Sequence, residues 1–258
     1  MKAILVDVTR CTGCDKCKEA CHETYTKGER ATLSPDARDD LSAVTWNTII
    51  KADDDTFVRR MCLHCLQPTC ASVCPVGALH KSPEGPVIYD AHKCLGCRYC
   101  MFACPFGIPR YEWHKARPLV RKCWMCYERI RTGRQPVCVE VCPEKVCLFG
   151  ERSVLLAEAR RRIHANPDRY INHIYGEHEV GGTGILYISD VPLEGVIFDP
   201  KLGDKPLPTL TAGWMRGVPK VAAGVAVAMS AIWWIIERRM RLAREQADKR
   251  RTAENEQK

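Results

Sequence analysis

The apolar residues of this chain follow two local patterns that predict strands. Ile4, Val6 and Val8 alternate with other residues near the amino terminus, and this period of two predicts a short β-strand. The β-rich stretch at residues 43–50 lies between turn-forming residues, so we predict that it forms a strand of an added hairpin. These patterns indicate a folded chain with strands in its first half.

After residue 150 the apolar positions recur at helical spacing. We predict a helix that is capped by Ser153 and continues through Arg162, with Arg160 to Arg162 on its solvated face. The apolar face of this helix comprises Leu155, Leu156, Ala159 and Ile163. Four prolines then lie between Asp190 and Leu210, which predicts an extended linker without chemistry of its own.

An uncharged block at residues 221–236 predicts a membrane helix. As a helix this block would be about 24 Å long, against a bilayer core of roughly 30 Å. Its small residues permit close helix packing, while Trp233 and Trp234 suit a membrane interface. A buried helix of a soluble protein is the alternative interpretation.

The charge pattern favours a membrane surface over nucleic acid. The chain has 39 Lys and Arg against 31 Asp and Glu, a formal net charge of +8. No basic stripe interleaved with aromatic residues is evident, so we expect no nucleic-acid partner. Seven basic residues crowd positions 238–251, beside the apolar block, against four at positions 201–220. The tail is therefore expected in the cytoplasm, next to lipid, with the rest of the chain outside.

An outside location needs an export route. Only ten residues precede Cys11, which is too few for a signal peptide. We therefore expect the folded chain to cross the inner membrane with a partner that carries a twin-arginine signal.

Seventeen cysteines are the clearest departure from ordinary composition, and sixteen of them fall into four groups of four. The first and third groups have the C-x2-C-x2-C-x3-C spacing in which three thiolates hold one [4Fe-4S] cluster and the fourth reaches a neighbouring cluster. This pattern predicts four [4Fe-4S] clusters as the cofactors. The groups are Cys11, Cys14, Cys17, Cys21; Cys62, Cys65, Cys70, Cys74; Cys94, Cys97, Cys100, Cys104; and Cys123, Cys126, Cys138, Cys142.

A zinc-binding scaffold without redox chemistry is the main rival. Zinc ribbons use two separated cysteine pairs, whereas triplets followed by Cys-Pro recur here. A soluble redox sensor or electron carrier is a second rival, and a disulfide network is a third. Cys147 is interpreted as buried filler. His22 and His64 are interpreted as hydrogen-bonded neighbours of the cysteines, and Trp46 as a core residue.

Several segments together resemble a known family. They are LSAVTW (41–46), MCLHCLQPTCASVCPVGAL (61–79), CLGCRYCMFACPFGIPRY (94–111), PVCVEVCP (136–143) and GGTGILYISDVP (181–192). They resemble the four-cluster iron-sulfur subunits of membrane-bound respiratory oxidoreductases, especially the formate dehydrogenase beta subunit and the iron-sulfur subunit of periplasmic nickel-iron hydrogenases.

The resemblance implies a pairing that spacing alone leaves open, namely first with fourth group and second with third. The implied sites are Cys11, Cys14, Cys17 with Cys142; Cys21 with Cys123, Cys126, Cys138; Cys62, Cys65, Cys70 with Cys104; and Cys74 with Cys94, Cys97, Cys100.

The implied fold class is α+β, with two interleaved ferredoxin-like domains that each hold two clusters, and one carboxyl-terminal transmembrane helix. We expect a first domain with an inserted hairpin at 1–60 and 116–150, and a second at 61–115. A helix and proline-rich covering segment at 151–212, a membrane helix at 213–237 and a cytoplasmic tail at 238–258 would follow.

No catalytic site is evident in the sequence, so we expect catalysis to belong to a partner. The resemblance implies a formate dehydrogenase or nickel-iron hydrogenase subunit as that partner. Another molybdopterin oxidoreductase is the alternative. Electrons would pass to a membrane cytochrome b or another quinone-reactive subunit.

Overall fold

The computed structural model describes residues 1–27, 29, 39–52 and 55–256, without side chains at 248 and from 250 onward. The chain forms two units, Met1–Pro208 and Thr209–Lys258. The strands described are β1 Lys2–Asp7, β2 Asn47–Lys51, β3 Phe57–Met61, β4 Leu79–Lys81, β5 Val87–Tyr89, β6 Arg110–Tyr111, β7 Val120–Arg121, β8 Cys147–Glu151 and β9 Ile185–Ile188. The helices are α1 Lys16–Tyr25, α2 Thr69–Ser72, α3 Tyr99–Ala103, α4 Tyr127–Arg131, α5 Val137–Glu140, α6 Arg152–Ala165 and α7 Leu207–Glu256, with 3-10 turns at Val8–Arg10 and Glu179–Gly181.

A three-stranded sheet of order β8-β1-β9 lies at the centre of the first unit. The predicted amino-terminal strand is its middle strand, antiparallel to β8 and parallel to β9. Both faces of β1 are buried, because Ile4 and Val6 pack into the main core while Ala3 and Leu5 pack against α6. The sheet therefore separates the two apolar layers of the unit.

Helix α6 covers one face of this sheet. The predicted apolar face is present, with Leu155, Ala159 and Ile163 buried. The predicted Ser153 cap is wrong, because the helix begins at Arg152 and its cap position, Glu151, makes no side-chain capping bond.

The assignment of Arg160 to Arg162 to a solvated face is also wrong for Arg162. Its Nη1 donates to the buried carboxylate of Asp7 at 2.8 Å, and its Nε donates to Glu158 at 2.8 Å. Desolvation lowers the pKa of Arg162, but the hydrogen bonds to Glu158 and Asp7 outweigh it, so the net shift is upward. This side chain pins α6 to the end of β1.

Three short hairpins surround the sheet. Strand β2 pairs with β3, so the hairpin strand predicted within residues 43–50 begins at Asn47. Strand β4 pairs with β5, and β6 pairs with β7. Helix α1 contacts α5, and α2 contacts α3. These helix contacts bring the first cysteine group toward the fourth and the second group toward the third.

The segment predicted as an extended linker packs into the core instead. Leu193 and Phe198 are buried, and the rings of Phe198 and Phe106 meet edge to face with centroids 5.7 Å apart. Gly195, with φ +80°, lies in a tight turn that folds this segment back on itself. The linker prediction failed because it weighed the prolines and not the apolar residues between them.

The second unit is the continuation of a single long helix. Helix α7 begins at Leu207, earlier than the predicted start at 213, and it continues through the predicted tail to Glu256. Arg250 and Arg251 of that tail lie outside the described side chains. Large apolar side chains along α7, such as Val225, Val227 and Trp233, are exposed. The helix is long and apolar enough to cross a membrane.

Candidate metal centres

Two cysteine loops with the same conformation lead into α1 and α3. In each loop a glycine with positive φ, Gly13 or Gly96, lies between the first two cysteines. A Cβ at Gly13 would lie 2.7 Å from the ring of Phe57. Asp15 and Arg98 then precede the two helices with φ of 58° and 64°. Such left-handed backbone costs on the order of 1 to 3 kcal/mol at a residue other than glycine, so the loops are held tightly curled around their cysteines.

The first loop forms one wall of a cavity that we call the Arg59 cavity. Thiols from the first and fourth cysteine groups meet there. Cys11 is close enough to Cys142 and Cys14 for their charges to influence its ionisation. The cysteines and the arginine that line the cavity are Cys11, Cys14, Cys17, Cys138, Cys142, Cys147 and Arg59.

The third-group loop forms a second cavity, which we call the Arg98 cavity. Here the last cysteine of the second group joins three of the third. Burial, followed by the thiols of Cys94, Cys97 and Cys74, raises the pKa of Cys100. The cavity is lined by Cys74, Cys94, Cys97, Cys100, Tyr89 and Arg98, among others.

The remaining eight predicted ligands lie in two further places. In one, burial and then the thiols of Cys21, Cys126, Cys62 and Cys138 raise the pKa of Cys123. In the other, burial and then Cys62, Cys104 and Cys70 raise the pKa of Cys65. Thiols of different cysteine groups thus lie beside one another at each of these places.

Cysteines of one predicted ligand set also lie close to cysteines of the next set. Burial raises the pKa of Cys17 in the Arg59 cavity, and the thiol of Cys138 raises it further. Cys123 of the second set is influenced by Cys62. Cys70 of the third set is influenced by Cys100 of the Arg98 cavity. Cysteines predicted for different clusters therefore lie near one another.

The chemistry of these donor sets fits iron-sulfur clusters. Burial first, and then crowding by other thiols, raises the pKa of Cys21 to about 12 and that of Cys100 to about 11. Crowded thiols of this kind ionise only when a cation replaces their protons. The iron of a [4Fe-4S] cluster binds four cysteine thiolates and offsets their charge.

Backbone amides already point at several of these sulfurs. The amide of Ala78 donates to Cys74 Sγ at 3.2 Å, and that of Gly96 donates to Cys94 Sγ at 3.4 Å. The amide of Met125 donates to Cys123 Sγ at 3.2 Å. Hydrogen bonds to ligand sulfur are one of the means by which a protein adjusts a cluster's potential.

The predictions for the histidines agree with their surroundings. The Thr26 hydroxyl lies 2.8 Å from His22 Nδ1. His64 is fully buried, and its Nδ1 accepts a hydrogen bond from the amide of Val87 at 3.0 Å. Burial, followed by the charges of Lys122 and Lys81, lowers the pKa of His64 well below its usual range. His64 is therefore neutral, and its ring is held by the hairpin.

Trp46 is a core residue, as predicted. Its Nε1 donates to the carbonyl of Ala43 at 2.7 Å. Its ring centroid lies 4.5 Å from that of Trp124 and 5.8 Å from that of Tyr25. This aromatic group joins the insert after α1 to the fourth cysteine group.

Cys147 is buried, as predicted, but it has a partner that sequence reasoning missed. Its sulfur accepts a hydrogen bond from Arg59 Nη1 at 3.0 Å. Arg59 lies on β3 and is buried, while its sequence neighbour Arg60 pairs with Asp39. The only signal in the sequence was the position of Arg59 in FVRRM, directly after the apolar Val58.

The comparisons with known proteins agree with this chemistry. Residues 54–152 match the model of the 4Fe-4S dicluster domain. A protein of Nitratidesulfovibrio vulgaris, strain Hildenborough, is 39% identical over 94% of this chain and 69% of its own length. Hydrogenase-2 operon protein HybA of Escherichia coli O157:H7 is 36% identical over 78% of this chain and 73% of its own. The nitrate-inducible formate dehydrogenase iron-sulfur subunit of Escherichia coli K12 is 31% identical over 89% and 82%.

These relatives confirm the resemblance that the cysteine segments indicated. They match most of the chain, and each match covers more than two thirds of the relative. The chain therefore belongs to the 4Fe-4S dicluster family of iron-sulfur subunits that includes HybA and the formate dehydrogenase iron-sulfur subunit.

Proposed function

We propose that this chain carries electrons through four [4Fe-4S] clusters between a catalytic subunit and a membrane partner. The observation that carries this proposal is that thiols from different cysteine groups lie beside one another, the first with the fourth and the second with the third. The proposed ligand sets are Cys11, Cys14, Cys17, Cys142; Cys21, Cys123, Cys126, Cys138; Cys62, Cys65, Cys70, Cys104; and Cys74, Cys94, Cys97, Cys100.

The proposed fold pairs the groups in two interleaved ferredoxin-like domains. One domain consists of residues 1–60 and 116–150, and residues 61–115 form the other. The contacts of α1 with α5 and of α2 with α3 support this division. So do the equivalent left-handed residues before α1 and α3, as expected of a repeated unit.

The neighbour order of the thiol sets supports a single path. The two terminal sets each contain an exposed cysteine, Cys14 at one end and Cys97 at the other. The middle sets are more enclosed, and they include the buried Cys21, Cys62, Cys70, Cys123, Cys126 and Cys138. Electrons would enter at one exposed end and leave at the other.

Bound clusters would supply reversible one-electron chemistry, and the residues of the chain prepare their surroundings. The thiols hold the metal, the apolar core around them excludes water, and the amides of Ala78, Gly96 and Met125 donate to sulfur. These contacts are of the kinds that set cluster potentials.

The catalytic partner is proposed to be of the hydrogenase or formate dehydrogenase type, and the membrane partner a cytochrome b or other quinone-reactive subunit. Helix α7 would cross the inner membrane once, in contact with lipid. Its exposed apolar side chains and the basic residues after position 237 support this placement. The cluster-binding unit would then lie on the outer side, after export with a partner that carries a twin-arginine signal.

The first test is the metal content of the anaerobically purified chain or complex. We expect about sixteen irons per chain and magnetically coupled EPR signals after dithionite reduction, since each cubane holds four irons. Stoichiometric zinc without such signals would refute the electron-transfer function and support a scaffold.

The second test concerns the membrane helix. Replacing Val225 by Arg puts a charge near the middle of the apolar block, at a cost of about 2.5 to 3.5 kcal/mol for insertion. We expect the protein to shift from the membrane fraction to the soluble fraction, with its iron retained. Lys249→Ala, beyond the block, is the control and should leave the distribution unchanged. Equal membrane association of both variants would contradict the membrane assignment.

A further inference from the structure

The guanidinium of Arg59 is buried among thiols. The residue is 2% exposed, and only Nη1 has a hydrogen-bond partner, Cys147 Sγ at 3.0 Å. Nε and Nη2 have no partner, and in the part of the chain that the structure describes no carboxylate bonds to this side chain. Burial lowers the pKa of Arg59, but the neighbouring thiols of Cys138, Cys147 and Cys17 raise it, and the net shift is upward.

A buried guanidinium needs a counter-charge. Arginine stays protonated in proteins, so burial cannot neutralise it as it would a lysine or a histidine. A charge that is removed from water without a partner is strongly unfavourable. The unpaired Nε and Nη2 and the fixed charge thus point to an anionic group in the Arg59 cavity, where thiolates of a bound cluster would lie.

We propose that the permanent charge of Arg59 raises the reduction potential of the cluster held in the Arg59 cavity. This inference rests on the proposed function, since it assumes that Cys11, Cys14, Cys17 and Cys142 hold a cluster. Reduction adds one electron to an already anionic group, and a nearby cation stabilises the more negative state more strongly. Cys147 accepts from Nη1, which leaves Nε and Nη2 as unpaired donors on a side chain that lines the cavity.

The chain offers a matched control in Arg98. This arginine lines the Arg98 cavity, but it is exposed, and its guanidinium lies over the rings of Tyr111 and Trp113 at 5.5 and 5.3 Å. Water and salt screen an exposed charge, so its influence on a cluster is weaker. Removal of either arginine changes the net charge of the chain by the same amount.

The test is an EPR-monitored redox titration of the intact complex that carries Arg59→Met, Arg59→Gln, Arg59→Lys or Arg98→Met. We expect Arg59→Met and Arg59→Gln to lower the equilibrium constant for reduction of one cluster at least tenfold. This is a fall of about 59 mV in the potential of a one-electron couple. The signal of the cluster proposed to be ligated by Cys138, which also lines the Arg59 cavity, should shift in the same direction. Arg59→Lys should retain most of the potential, because an anionic cluster beside the ammonium favours its protonated form. Arg98→Met should change the equilibrium constant for reduction of the cluster in the Arg98 cavity less than threefold.

Iron content separates the outcomes. Unchanged midpoints in Arg59→Met and Arg59→Gln with full iron would overturn the inference, while sixteen irons in the wild type would leave the proposed function standing. Iron loss in the neutral variants but not in Arg59→Lys would support the role of charge. Equal iron loss in all three Arg59 variants would overturn it, because a purely structural role would then be sufficient.

Discussion

The Arg59 cavity and the Arg98 cavity hold the same kind of ligand in different surroundings. Each is lined by thiols from two cysteine groups and by one arginine. In the first, the arginine is buried and hydrogen-bonded to a thiol that belongs to none of the ligand groups. In the second, the arginine and the nearby Leu95, Tyr99 and Phe102 are exposed.

This difference shows that a protein controls which metal centre it binds and the potential of that centre through different residues. The number and chemistry of the thiols decide which centre can be bound, and both cavities satisfy the same requirement. The burial of the neighbouring charge and dipoles decides how strongly they act on that centre, because charges interact more strongly where water is excluded. Two sites with the same motif can therefore differ in potential.

The largest effect is expected from loss of a ligand. Cys100→Ala should remove one thiolate from the Arg98 cavity and lower the iron content by about four of sixteen irons per chain. Cys147→Ala, a buried cysteine outside the ligand sets, should retain all of the iron. Iron analysis of both variants, purified anaerobically in parallel, tests the distinction. Iron loss of the same size in both variants would contradict the assignment of Cys100 as a ligand and Cys147 as a neighbour that binds no iron.

The next effect concerns the support of Arg59. The Tyr187 hydroxyl donates to the carbonyl of Arg59 at 2.9 Å in a fully buried position. Tyr187→Phe leaves that carbonyl unpaired and should lower the free energy of unfolding by about 1 to 3 kcal/mol. Urea unfolding followed by tryptophan fluorescence measures the change. Tyr99→Phe, at an exposed tyrosine beside the Arg98 cavity, should change it by less than about 0.5 kcal/mol.

A smaller effect is expected from the neutral donor in the Arg98 cavity. The Tyr89 hydroxyl is buried beside Cys94 without a hydrogen-bond partner among the described residues, which leaves it free to donate to a bound cluster. Burial, followed by this thiol, raises the pKa of Tyr89. Tyr89→Phe removes a neutral donor worth about 0.5 to 1.5 kcal/mol, so reduction of that cluster should weaken by about tenfold or less. A redox titration should show this shift in one signal only. A shift in potential larger than that of Arg59→Met would contradict the expectation that the buried arginine affects its cluster more strongly than the tyrosine does.

The smallest effect is a response to salt. Raising the ionic strength from about 0.01 M to about 1 M shortens the Debye length from about 30 Å to about 3 Å. The difference in potential between wild type and Arg98→Met should therefore shrink in high salt, whereas the Arg59→Met difference should persist. Titrations at the two ionic strengths provide the comparison. Equal salt sensitivity of the two differences would show that burial does not separate the arginines.

Local features of this molecule were predictable because they depend on neighbours in the chain. The strand at Ile4 and Val6 and the apolar face of α6 follow from periodicity, and the structure contains both. The linker between Asp190 and Leu210 was predicted wrongly, because Leu193 and Phe198 find their apolar partners far away in the sequence. Arg162 was misplaced for the same reason, since its partner Asp7 lies at the other end of the chain.

The sequence by itself predicted the sixteen candidate thiol ligands and determined their arrangement in groups and the presence of one long apolar helix, because these are properties of composition and short spacing. The resemblance carried by the cysteine segments supplied the family. Only the tertiary structure decided which thiols meet, since α1 and α5 are more than one hundred residues apart and come together through packing. It also decided that Arg59 is buried and Arg98 exposed, because burial depends on every element packed around a side chain.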